Sequence, residues 1–298
     1  MPSILVCDVG PRDGLQNEAL SLPVEVRVQL CEDLASAGLR RVEAVSFVSP
    51  RRVPPMAGAE QVFSALPKSG RTAYAGLVLN QHGFERALAA GVREVHYALP
   101  VTDEYARRNQ GTTVAEGINL ARSLARQSRA LGIYFVVTLS AAFGCPFEGP
   151  VAASRVDSIA EAMLADPPDE FCLADSIGVG VPTQVTDRVR RLLALGVQTV
   201  GCHFHNTRNT GLANAVAALE AGATVLDASI GGAGGCPFAP NATGNIATED
   251  LVYLLEGMGV ETGINLDRLI EIARWLGGHL GHEMPGMVSR AGRFPASS

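Results

Sequence analysis

The chain has 298 residues, 47% of them hydrophobic, and a formal charge of −6. That length holds one large domain or two small ones. With no basic tract and no Lys/Arg stripe it excludes a nucleic-acid partner, and no apolar run approaches the roughly 20 residues of a membrane span.

The start, Met1-Pro-Ser-Ile-Leu-Val-Cys-Asp8, lacks a signal-peptide pattern and enters a strand-like run at once. Six scattered cysteines, with no C-x-x-C among them, predict reduced thiols in a cytoplasmic protein.

In chain order, residues 4–9 read as a first strand, followed by the loop Gly10-Pro-Arg-Asp-Gly-Leu-Gln-Asn-Glu18. Pro23 opens a helix that runs to Ala37 and ends at Gly38. Residues 41–46 form a second strand, and a loop rich in Pro and Arg leads to a short helix at 60–66. Strands at 72–79 and 94–99 flank a helix at 81–90. A long amphipathic helix covers 112–131, and a fifth strand covers 133–139. A helix at 151–164, a strand at 170–175 and a helix opened by Pro182 follow. The seventh strand, 197–205, ends in His203-Phe-His205; a helix at 212–221 and a strand at 224–230 come next. Beyond the run Gly231-Gly-Ala-Gly-Gly-Cys-Pro-Phe238, helices are expected near 247–257 and 266–280, and the tail from Pro295 is expected to fray.

Eight strand-then-helix units predict an α/β fold: a single (β/α)8 TIM barrel over about residues 3–258, with a short C-terminal helical extension over about 264–285. The rival is an open doubly wound sheet. The late glycine run is not a Gly-x-Gly-x-x-Gly at a chain start, and no Gly-x-x-x-x-Gly-Lys-Ser/Thr occurs.

In such a barrel the chemistry lies at the C-terminal ends of the strands. The polar residues expected there are Arg12, Asp13, Glu43, Asp175, His203, His205, Cys236 and Asn245. Residues two apart on a strand share a face, so His203 and His205 project together. Two imidazoles, a carboxylate and an amide oxygen suit a divalent cation such as Mg, Mn, Co or Zn. Taken alone, the histidine pair reads equally as two strand-end side chains satisfied by backbone. Arg12-Asp13 reads as an ion-pairing turn or as a metal ligand beside a cation aimed at developing negative charge. Glu43 either orients Arg12 or a ligand or forms a structural ion pair. Cys236 is either a reactive group on a mobile glycine loop or a small apolar residue under a turn. Cys145, also ahead of Pro-Phe, reads as structural.

Several segments resemble one family. Val9-Gly-Pro-Arg-Asp-Gly-Leu-Gln-Asn-Glu18 is similar to the opening motif of 3-hydroxy-3-methylglutaryl-CoA lyases. So are Val42-Glu-Ala-Val-Ser-Phe-Val-Ser-Pro50, Gly144-Cys-Pro-Phe-Glu-Gly149, Asp175-Ser-Ile-Gly-Val-Gly180, His203-x-His205, Gly234-Gly-Cys-Pro-Phe238 and Thr243-Gly-Asn-Ile-Ala-Thr-Glu-Asp250. The resemblance implies a TIM-barrel metallolyase of the group that also holds isopropylmalate and homocitrate synthases. It implies the metal ligands Asp13, His203, His205 and Asn245, a divalent cation (Mg or Mn), and Arg12 as catalytic cation. Glu43, Asp175 and Cys236 are implied as further active-site residues, Asp13 or His203 as the base, an acyl-CoA as substrate, and a homodimer.

Some positions depart from the family pattern. Members commonly read His-Cys-His-Asp-Thr-Tyr-Gly where this chain has His203-Phe-His-Asn206-Thr-Arg208-Asn209. Ala19 stands where a Lys often follows the first motif, and Cys236 is the last cysteine. These changes bear on the acyl group and on contacts to the CoA phosphates. The implied reaction is retro-Claisen cleavage of 3-hydroxy-3-methylglutaryl-CoA to acetyl-CoA and acetoacetate. A lyase for citramalyl-CoA, giving pyruvate, is the alternative. An acyl-CoA-condensing synthase and a non-enzymatic CoA- or metal-binding module are more remote.

Overall fold

The computed structural model describes residues 4–235 and 244–294. Its barrel strands are β1 (Leu5–Asp8), β2 (Arg41–Ser46), β3 (Ala73–Val78), β4 (Glu94–Pro100), β5 (Tyr134–Ser140), β6 (Glu170–Asp175), β7 (Val200–Phe204) and β8 (Val225–Ala228). All eight pair in parallel, and β1 pairs with both β2 and β8. The closing register runs from Leu5 opposite Val225 to Asp8 opposite Ala228. A sheet with no free edge is a barrel, so the fold is a (β/α)8 TIM barrel and not the open doubly wound sheet.

The strands read as near-continuous apolar runs because both of their faces are covered. On β4, Val95, Tyr97 and Leu99 belong to the core shared with the surrounding helices. The alternate residues Glu94 and His96 are also buried, but they face the barrel axis. Their partners establish this: His96 meets Glu43 and Glu94 meets Arg41, both on β2, a strand that is not a neighbour of β4.

The helices start where capping chemistry is available. Asn80 and Asn265 accept a hydrogen bond from the third residue beyond them, and Thr113 forms a capping box with Glu116. Two helices escaped the sequence reading, Met287–Ala291 and, on the barrel, Asp103–Gln110. Only Tyr105 and Ala106 on it are buried, so it has no apolar period to detect. Its acidic first turn and basic last turn, which complement the helix dipole, were the available signal.

After the helix Thr248–Gly257 the chain adds two more, Leu266–Leu280 and Met287–Ala291. The former packs on the first-turn helix Val24–Ser36 and beneath the start of the glycine run. Cys7, Cys31, Cys145, Cys172 and Cys202 are buried and unpaired. Cys236 and the tail from Pro295 lie outside the described residues. Among the described residues no helix is long and apolar enough to cross a membrane.

Candidate active site

The first loop is a tight turn of π-helical form, Gly10–Gly14. The amides of Arg12, Asp13 and Gly14 all point at the carbonyl of Val9, at 3.2, 2.7 and 3.2 Å. Buried Asp8 anchors the turn: its carboxylate accepts from Gly10 N–H at 2.8 Å and from the Thr248 hydroxyl at 2.6 Å. The end of β1 is thus tied to the last barrel helix, and Arg12 and Asp13 are delivered to the mouth.

His203 lies near the end of β7, and His205 follows just beyond it. Residues 244–247 then run alongside, with Asn206 N–H bonded to Gly244 O at 3.0 Å and Ile246 N–H to Phe204 O at 3.1 Å. This lays Asn245 opposite His205. Only glycine fits at 244, since a Cβ there would meet the carbonyl oxygens of Gly232 and Gly234 at 2.3 and 2.5 Å.

Asp13, His203 and His205 offer ligand atoms that all lie within 4.8 Å of one another. Asp13 Oδ2 is 3.9 Å from Nε2 of each histidine. Asn245 donates its amide hydrogens to Asp13 Oδ2 and Ala233 O, both at 3.0 Å, and its Oδ1 is buried without a partner. Buried polar oxygens without partners are uncommon in folded proteins, and here the orphan belongs to a side chain bonded to Asp13 and set opposite His205. His203 Nδ1 faces Asp227 Oδ2 at 3.3 Å, the outer contact that orients a metal-binding imidazole. The donor set fits a hard or borderline divalent cation.

The electrostatics agree with that reading. Burial pushes Asp13 up, but the Arg12 guanidinium and then the two imidazoles outweigh it and hold the carboxyl well below its ordinary range. Burial, then the neighbouring His203, pushes His205 down to about 4, which keeps it neutral. For His203 the Asp227 hydrogen bond, followed by the Asp13 charge, overcomes burial and raises the imidazole.

Arg12 bonds Glu43 through Nε and Asp13 Oδ1 through Nη1, the latter at 2.6 Å. Asp175 is placed differently from its companions. Its neighbours Ala174 and Ser176 line the cavity, and Asp175, of opposite parity, does not. Its carboxylate accepts from the amides of Val179 and Gly180 at 3.0 and 2.8 Å, shaping the loop that follows β6. The family departure at Arg208 also faces away from the cavity: its guanidinium donates to the carbonyls of Ile177 and Gly178 at 3.1 and 2.9 Å.

These groups open on a cavity of about 730 Å³. Besides Arg12, Asp13, Glu43 and the two histidines, it is lined by His96, Asp227, Thr138, Ser140 and Arg108. His96 and Asp227 escaped the sequence reading, although Glu43 and His203, also within strands, did not. Their signal was a charged residue inside an otherwise apolar strand.

Fold and site together define a TIM-barrel protein whose mouth gathers a carboxylate and two imidazoles that could hold a metal ion. Residues 3–276 match the model of the HMGL-like family. The chain is 46% identical to (R)-citramalyl-CoA lyase of Chloroflexus aurantiacus, over 98% of this chain and 96% of that one. It is 40% identical to hydroxymethylglutaryl-CoA lyase of Pseudomonas mevalonii, over 94% of each. A solved HMG-CoA lyase of Acinetobacter baumannii, in complex with coenzyme A and 3-methylmalate, superposes with a TM-score of 0.94 at 38% identity, over 99% of this chain and 97% of that one. The chain belongs to the HMGL-like family.

Proposed function

We propose that the chain is a divalent-metal-dependent lyase that cleaves a 3-hydroxyacyl-CoA by retro-Claisen chemistry. The observation that carries this reading is the convergence of Asp13, His203 and His205 beside Arg12 on one cavity, with Asn245 bonded to Asp13 and its amide oxygen buried without a partner. A bound cation, Mg or Mn, supplies Lewis acidity that makes the substrate hydroxyl a stronger acid.

The chain's own residues do the rest. The hydroxyl proton passes to Asp13 or His203, which face each other across 3.9 Å at the mouth. The bond between the carbinol carbon and the thioester α-carbon breaks. Its electron pair passes into the thioester enolate, and the carbinol carbon becomes a ketone. Arg12, held by Glu43 and Asp13, places a fixed positive charge where the enolate oxygen develops. Protonation of the enolate carbon completes acetyl-CoA. We assign that proton to Cys236, which follows the described Gly235. Asp175 serves the site indirectly, through the loop it shapes.

The first reading of the acyl group is 3-hydroxy-3-methylglutaryl, giving acetoacetate. The second, citramalyl, is favoured by the 46% identity to (R)-citramalyl-CoA lyase and gives pyruvate. We carry a cytoplasmic location and a homodimer with either reading. Incubation with Mg or Mn and each CoA ester tests both. Acetoacetate supports the first, pyruvate the second, and cleavage of neither ester removes the lyase assignment.

A further inference from the structure

Beneath the mouth a line of charged side chains crosses the barrel interior. Arg12 bonds Glu43. The other oxygen of Glu43 meets His96 Nδ1 at 2.9 Å, and His96 Nε2 meets Glu94 Oε1 at 3.2 Å. Glu94 Oε1 pairs with Arg41 Nε at 2.5 Å, and Arg41 Nη1 with Glu170 Oε2 at 2.7 Å. Gly201 leaves room for that last carboxylate, since a Cβ there would meet Glu170 Oε1 at 2.5 Å.

His96 sits between two buried carboxylates. Each of its ring nitrogens faces a carboxylate, an arrangement that suits an imidazolium donating from both. With both nitrogens committed it has no group left to bind substrate, although it lines the cavity. What it controls is Glu43. That carboxylate is held at one oxygen by Arg12 and at the other by His96, and both residues reach it from other strands or loops. Without the His96 contact, one buried oxygen of Glu43 is left unpaired and the carboxylate is free to turn, carrying Arg12 with it.

We propose that His96 is a positioning residue for the lyase reaction: by clamping Glu43 it fixes the Arg12 guanidinium at the place where enolate charge develops. This rests on the lyase reading given above. Burial opposes the charged ring, but the hydrogen bonds to Glu43 and then Glu94 prevail and raise its pKa to about 10, consistent with a permanent clamp.

The experiment has two arms. In the first, His96→Gln, Arg12→Gln and the double variant are assayed with Mn and whichever CoA ester the parent cleaves. His96→Gln is expected to lose about 10- to 100-fold in kcat with KM nearly unchanged, as for other supporting contacts of a catalytic group. In the Arg12→Gln background the same change is expected to cost nothing further, because it acts only through Arg12. Parental kcat in His96→Gln, or losses that multiply in the double variant, overturns the proposal. The second arm needs no variant to fold and no activity: ¹⁵N-histidine spectra of the Mg-loaded parent at pH 8 are expected to show one ring with both nitrogens protonated. Only neutral rings at that pH overturn the clamp. If the parent cleaves no ester, the lyase reading falls, while the spectra still decide whether His96 is held as described.

Discussion

The barrel interior has two polar regions, one at the mouth and one beneath it, and they are finished to different degrees. In the lower one, Glu43, His96, Glu94, Arg41 and Glu170 are buried, and each charge meets an opposite one. At the mouth, Asn245 Oδ1 and His205 Nδ1 are buried without partners, and Asp13 stands 3.9 Å from two imidazoles. Burying a polar group unpaired costs free energy, so the incomplete region must gain something that the complete one already has. The comparison teaches where to expect a ligand: not where charges are most numerous, but where they are left unmatched.

The sharpest way to break that comparison is to remove a donor from the incomplete region. His203→Ala should abolish stoichiometric binding of Mn, read by elemental analysis after gel filtration, and turnover with it. Parental metal content would mean the mouth is complete without an ion. In the lower region the effect should fall on the fold instead. Arg41→Leu leaves Glu94 and Glu170 buried with their shared cation gone, and breaking such a group typically costs about 3–5 kcal/mol. Denaturant unfolding measures it, and a loss under about 1 kcal/mol would show that the layer is wetter than its burial implies.

Arg12 joins the two regions, and its loss separates them. Removing one preorganised donor or cation typically lowers turnover by about 10²–10³. Arg12→Gln should therefore lose at least that much kcat while keeping metal and ester binding. Near-normal turnover would take Arg12 out of the chemistry and leave it a structural link.

The two regions also differ in how readily they were legible. Strand-then-helix alternation disclosed the barrel because apolar strands flanked by turn residues need no tertiary information. Arg12, Asp13, His203, His205 and Asn245 were singled out because a barrel concentrates function at strand ends, and Glu43, within β2, was singled out with them. His96, Glu94, Arg41 and Glu170 were not: Arg41, Glu94 and Glu170 open their strands, at the end away from the mouth, and His96 lies two residues into β4. They were marked all the same: Arg41 with Glu43, and Glu94 with His96, are charged pairs spaced two apart in apolar strands, which places each pair on one face. Parity also explains Asp175. It ends β6 as expected, but Ala174 and Ser176 hold the inward positions and turn it outward. No rule of sequence says which parity faces the axis until one inward residue is known.

Glu249 sharpens the contrast as a third case, a buried carboxyl that is neither paired nor offered to a ligand. Its Oε2 accepts from Gly231 N–H at 2.9 Å, and its Oε1 has no partner. Burial raises it from 4.5 to about 8, so it stays protonated at neutral pH. The folded state then holds a proton that the unfolded chain releases near 4.5. The stability this confers is complete below that pH and is lost as pH rises through about 8. Glu249→Gln removes the proton but keeps the acceptor. Between those two pH values, parental stability should fall relative to this variant by up to about 1.4 kcal/mol per pH unit. Denaturant unfolding with a chelator present, at several pH values, reads the difference; parallel curves would mean the carboxyl ionises normally.

The smallest expected effect concerns a position that the family resemblance singles out. Arg208 stands where relatives commonly carry Tyr, which suggests a change in acyl preference. Its guanidinium instead holds the carbonyls of Ile177 and Gly178, and it does not line the cavity. Asn209 beside it takes a left-handed conformation, φ 60°, at the position where those relatives have Gly, and Asn is among the side chains that tolerate it. The segment is therefore rebuilt locally while the mouth is left alone. Arg208→Tyr should leave the ratio of acetoacetate to pyruvate formed from the two esters unchanged within about twofold, since a residue outside the pocket has no differential contact with either acyl group. A shift of tenfold or more would mean that the loop after β6, which Arg208 and Asp175 both hold, reaches the acyl group when substrate binds, and that the boundary between the matched and unmatched regions moves during turnover.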